Sequence, residues 1–208
     1  GGGGHGTSYP HTHNHTHACP GGGDFLSSEI KKSEIQKIIK TFKSNLTQYA
    51  KHCLKIVDKQ GKLIPLNFNA AQIQLDKQIN EQYSHHNRVR MLILKSRQTG
   101  ISTYCQARGF WKTVSAQNQN AVVVSHLNES TKAIFSMVRN FYDNLPHPVV
   151  TPELKESTSN SMAFTHGSRW RIATARTGEV GRGWTTNYLH GSEVAFYPNA
   201  DIIPGLLQ

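Results

Sequence analysis

The chain has 208 residues, with 23 Lys and Arg against 13 Asp and Glu, a formal net charge of +10 and 37% hydrophobic residues. No apolar run approaches the roughly 20 residues of a membrane helix, so no membrane is expected as a partner, and the basic excess favours a polyanionic one. The length suits one domain with a real core.

Residues 1–23 hold five of the twelve histidines and eight of the seventeen glycines but no Asp, Glu, Lys or Arg. His11, His13, His15 and His17 recur every second residue with no apolar face, so this stretch is expected to be a disordered, tag-like leader outside the fold. It has neither a basic n-region nor an apolar h-region, so no secretory signal is expected. Cys19, Cys53 and Cys105 form no CxxC pair, which argues against a disulfide framework or a cysteine zinc site and fits a reducing cytosol.

Residues 24–54 read as a helical segment. From Ser27, Ile30, Ile35, Ile38, Ile39, Phe42, Leu46 and Tyr49 recur mostly at three- and four-residue steps, predicting one amphipathic helix. Lys31, Lys32, Lys37, Lys40 and Lys43 on it suit DNA phosphates or simply a solvated face. Residues 55–208 read as an α/β domain. Lys55 to Pro65 alternates around Gly61 as a small hairpin, and Asn69 to Gln82 is helical. Met91 to Leu94 (MLIL) predicts a buried strand, Ser102 to Ser115 a helix, Ala121 to Val124 (AVVV) a second buried strand, and Ser130 to Leu145 a helix stopped by Pro146. Ser161 to Thr174 predicts two strands around His166-Gly167-Ser168. His85 and His86 read as surface. Strand, helix, strand, helix spells a mostly parallel sheet flanked by helices. The apolar end Ile202 to Gln208 looks interrupted, so a fragment of a longer protein is expected.

A strand, a glycine turn and a hydroxyl pair opening a helix together cradle nucleotide phosphates, because backbone N–H groups and the positive helix end face the anion. Lys95-Ser96-Arg97-Gln98-Thr99-Gly100-Ile101-Ser102-Thr103 has this order. Against G-x-x-x-x-G-K-[ST], Gly100 matches the second glycine and Ser102 the hydroxyl that meets Mg2+, while Ile101 takes the lysine slot and Lys95 the first glycine's. A long ammonium at Lys95 reaches toward the β- and γ-phosphates, and Arg97 supplies a second cation. An ordinary strand-to-helix turn with solvated cations is the plain alternative.

KSRQTGIST resembles the variant Walker A loop of the large terminase subunits of tailed bacteriophages, the ATPases that pump DNA into a procapsid. IPLNFNAAQ, residues 64–72, is similar to that family's adenine motif; Gln72 lies 23 residues before Lys95. Residues 122–145 are similar to the family's second strand and helix, and GRGWTTNYLHGSEVAFYP, residues 181–198, resembles the segment ending in Walker B. The resemblance covers about residues 55–200. It implies a P-loop NTPase fold of the ASCE type, incomplete at its C-terminal end, with the family's RNase H-like nuclease domain absent from this chain, so that this chain alone is expected to bind ATP weakly and to hydrolyse it slowly or not at all. It also implies ATP and Mg2+ as ligands and double-stranded DNA as the substrate of translocation. The small terminase subunit and the portal of the procapsid follow as partners, with a homo-oligomeric ring in the host bacterial cytoplasm.

The resemblance assigns Gln72 to the base, residues 95–103 to the phosphates, Ser102 and Ser192 to Mg2+, Glu193 to orienting the attacking water and Arg97 to the γ-phosphate. Ser192 stands where the family usually has Asp. Arg176 and Arg182 are candidate trans arginine fingers, DNA contacts or solvated loop residues. A helicase-like ATPase and a nonenzymatic basic DNA- or capsid-binding module are the alternatives; Ile101 argues against the first, and Ile101 with Ser192 sustains the second.

Overall fold

A computed structural model describes residues 32–146, 152–175 and 185–198. The Gly/His leader, Arg176, Arg182 and the apolar end 202–208 lie outside these residues. The helical N-terminal segment is two helices, α1 (Lys32–Ser44) and α2 (Leu46–Cys53). The single helix expected there breaks because Asn45 leaves helical geometry and its side chain accepts the Gln48 N–H at 3.0 Å, capping α2. Leu46, Tyr49, Ala50 and Cys53 are buried.

The hairpin forms as read. β1 (Lys55–Val57) pairs antiparallel with β2 (Leu63–Pro65), and Gly61 closes the turn at φ 78°. Asn69 then caps α3 (Ala70–His86) through a reciprocal box: its side chain accepts the Gln72 N–H, and Gln72 Oε1 accepts the Asn69 N–H. The left-handed Asn87 ends the helix.

The next expectation fails. Residues 91–94 form no strand, and Leu92 and Leu94 are 93% and 101% exposed. A strand exists through its ladder hydrogen bonds, and this run pairs with no described strand. α4 (Ile101–Ser115) follows the loop, then β3 (Asn120–Ser125) and α5 (Asn128–Asp143). β4 (Leu154–Ser157), not foreseen, joins the expected β5 (Ser161–Phe164) and β6 (Arg169–Thr174); β7 (Tyr188–Gly191) leads into a 3-10 turn, Val194–Phe196.

These last five strands make one sheet in the order β4-β5-β6-β3-β7. β3 is parallel to both β6 and β7, while β4, β5 and β6 are antiparallel. The sheet is therefore mixed rather than mostly parallel, because the short links between β4, β5 and β6 permit only hairpins. α4 and α5 share one sheet face. Their Ala107, Phe110, Val138 and Phe141 pack with Ala121, Val123, Met162, Phe164, Trp170 and Ile172 in a single core. Val122, Val124 and Ala175 form a smaller cluster on the other face, with Leu189 and Tyr197 against it.

Candidate functional site

Alternation along the strands brings three hydroxyls to one place. Thr174, Ser125 and Ser192 follow inward residues of β6, β3 and β7, and the register sets Ser125 beside Thr174. The Ser192 N–H extends the ladder to the Val124 carbonyl at 2.8 Å. These hydroxyls stand at the carboxyl ends of the parallel strands, where open α/β sheets bind ligands. Ser125 is fully buried, and its Oγ has no hydrogen-bond partner among the described residues.

α4 runs antiparallel to β3 and β7, because the short link 116–119 returns its C-terminal end to the start of β3, which is parallel to β7. The Tyr188 hydroxyl donates to the Cys105 carbonyl at 2.8 Å, and two residues further along the strand His190 Nδ1 lies 2.9 Å from Gln106 Nε2. The amide donates to that nitrogen if His190 carries its proton on Nε2. Gly109 allows this approach, since a Cβ there would sit 2.7 Å from the Tyr188 ring. The first turn of α4, with half-buried Ser102 and Thr103, therefore shares the carboxyl end of the sheet with Ser192 and Glu193.

The loop before α4 is held at one end. Asn69 Nδ2 donates to the Thr99 carbonyl at 3.1 Å and Gln72 Nε2 to that of Gly100 at 2.8 Å. Gln98 and Gly100 have positive φ, and Gly100 is the N-cap of α4, which has neither a side-chain cap nor an acidic residue in its first turn. Its leading N–H groups are left to other acceptors. At the loop's other end Lys95, Ser96, Arg97 and Gln98 are exposed. The charge of Lys95 is felt at both Cys105 and His190, where it lowers each pKa. Burial dominates there, lifting the Cys105 thiol to about 11 and lowering His190 to about 4.

Three of the assigned residues have particular surroundings. Gln72 is no surface residue: it is 4% exposed, and both polar atoms are engaged within the chain, so in this arrangement it links α3 to the loop rather than presenting an edge to a base. The Ile101 side chain is buried with Leu46, Leu75, Ile79 and Tyr104, which leaves only its backbone to a phosphate. Glu193, in the left-handed region at φ 56° and ψ 46°, meets no loop residue; its Oε2 lies 2.9 Å from His126 Nδ1.

Sequence reading passed over His126, Ser125 and the Gln106–His190 pair. For Ser125 and His126 the one signal was two polar residues directly after an apolar strand; the Gln106–His190 pair had none. Among the described residues, no three His, Cys, Asp or Glu side chains gather into a metal cage. Hydroxyls at Ser102 and Ser192, at the same end of the sheet as Ser125, suit Mg2+ carried on phosphates with its own waters, since Mg2+ keeps several waters and accepts few protein oxygens. No described helix is long and apolar enough to cross a membrane. Compared with known proteins, the chain matches no family model and no curated protein.

Proposed function

We propose that this chain is the nucleotide-binding ATPase part of a DNA-packaging motor of the large-terminase kind, a P-loop NTPase of ASCE type. The reading rests on one juxtaposition: a glycine-capped, side-chain-uncapped helix start and a glutamate after a neighbouring parallel strand, at the same end of one sheet. Hydrolysis needs both a cradle for phosphates and a group to aim water, and residues 95–103 and Glu193 supply them.

In this mechanism the N–H groups of the loop and of the first turn of α4 donate to the β- and γ-phosphate oxygens, and Lys95 and Arg97 neutralise them. Ser102 and Ser192 would hold Mg2+ on those phosphates, where the ion offsets developing charge. Glu193 takes a hydrogen bond from water and aims it in line with the terminal phosphorus; a P–O bond to water forms as the bond to the leaving diphosphate breaks. Double-stranded DNA is the translocated substrate, met through phosphate contacts that read no sequence. The small terminase subunit, the portal, a homo-oligomeric ring and the host cytoplasm belong to this same reading.

Titration with a fluorescent ATP analogue and Mg2+ tests it. Wild type binds saturably, Lys95→Ala weakens binding by about 2 kcal/mol or more, as expected for a charged contact to phosphate, and Glu193→Ala binds as wild type but loses hydrolysis. Binding unchanged by Lys95→Ala would remove the loop from the site. The nonenzymatic basic module keeps one observation of its own, the exposed Lys37, Lys40 and Lys43 on one face of α1; duplex binding indifferent to nucleotide would favour it.

A further inference from the structure

We propose that His126 is a positioning residue for Glu193, holding its carboxylate at the carboxyl edge of β3 and β7. The inference rests on the reading of Glu193 as the water-aiming group.

The turn that carries Glu193 is tied to β3 at one atom. The Val124 carbonyl accepts the Ser192 N–H at 2.8 Å and the Tyr197 hydroxyl at 2.9 Å. Two residues beyond Val124 the same chain presents His126, so backbone clamp and side-chain contact converge on one turn. Glu193 itself sits in left-handed geometry, which a non-glycine residue keeps only when its surroundings impose it. Inside the turn the Phe196 and Tyr197 N–H groups bond to the Glu193 and Val194 carbonyls.

The side chains differ in freedom. His126 is 16% exposed and Glu193 48% exposed. The Phe196 ring lies 5.5 Å from the imidazole at a tilt of 36°, restricting its rotation. A half-exposed glutamate samples several rotamers on its own, whereas a fixed imidazole 2.9 Å away gives its carboxylate one preferred place; the pair stands at contact distance without hydrogen-bond alignment, which catalytic contacts often gain only when the ligand is bound. Once the two align, chemistry sets the roles: an ionised carboxylate only accepts, so the nitrogen facing it, Nδ1, then carries the hydrogen. The other ion pairs among the described residues, Arg108–Asp76 and Arg139–Asp143, join helical residues away from this end.

The test has two arms on the full chain. In steady-state ATP hydrolysis with Mg2+, His126→Ala lowers kcat about tenfold while KM stays within about twofold, as expected when aim rather than binding is lost. His126→Asn, whose amide N–H occupies the place of Nδ1–H, recovers most of that loss. An unchanged kcat in His126→Ala, or His126→Asn as slow as His126→Ala, overturns the proposal.

In nitrogen NMR of the imidazole ring, wild-type His126 shows the Nδ1–H tautomer and loses that preference in Glu193→Ala. An Nε2–H ring in wild type, or a spectrum indifferent to Glu193→Ala, also overturns it. If wild type neither binds nor hydrolyses ATP, the ATPase reading fails, while the ring signal still decides whether His126 holds Glu193.

Discussion

Gly100 carries two demands at once. Its φ of 74° suits glycine, and a Cβ there would sit 2.8 Å from Gln72 Nε2 and 3.4 Å from Asn69 Nδ2. Gly100→Ala is therefore expected to cost roughly 1–2 kcal/mol from backbone strain alone and to loosen the loop from α3. Urea denaturation measures the first effect and nucleotide titration the second. His190 gives a pH signature. Burial, helped by Lys95, lowers its pKa from 6.5 to about 4, so between those values the unfolded chain binds the extra proton. Stability contributed by the neutral ring is present above about pH 6.5 and is lost as pH falls toward 4. His190→Gln, which stays neutral, should flatten that part of the profile. Urea midpoints near neutral pH and near pH 4.5 for both proteins check it; parallel declines would show that His190 is not the titrating group.

Among the elements, α3 was legible because capping is local: Asn69 and Gln72 lie three residues apart, the spacing the box requires. Their second task was not, since the Thr99 and Gly100 carbonyls they hold are remote in sequence. Residues 91–94 show the opposite failure. Their apolarity signals burial, but only a pairing partner makes such a run a strand, and outward-facing Leu92 and Leu94 have none among the described residues. Leu94→Ser should then change folding stability by no more than about 0.5 kcal/mol. Phe110→Ala, at 0% exposure between α4 and the sheet, should cost about 3–5 kcal/mol. Comparable losses in the two variants would restore the expected buried strand.

For the molecule as a whole, the charge of +10 bears on how it meets a polyanion rather than on its fold. Lys37, Lys40 and Lys43 recur every third residue along α1 and are exposed, so they share a face that can follow a phosphate backbone. If they do, duplex affinity falls steeply with salt and ignores sequence. Replacing all three by Ala then reduces the slope of log affinity against log salt by about 2–3. A slope unchanged in the triple variant would return α1 to an ordinary solvated face.

The sequence alone determined what local physics encodes: helical spacing, the cap at Asn69, the apolar β3 segment and the glycine turn ahead of α4. Burial of Val122, Val123 and Val124 followed from their unbroken apolarity. Tertiary structure decided what needs a partner. It turned a mostly parallel expectation into a mixed sheet, because parallel or antiparallel pairing depends on which backbones meet and how short the links are. It also set His126 against Glu193, Gln106 against His190 and Gln72 against Gly100, contacts between residues 28 to 84 positions apart. Periodicity carries no record of such distances, since it reports which side of an element is buried and not what lies on that side.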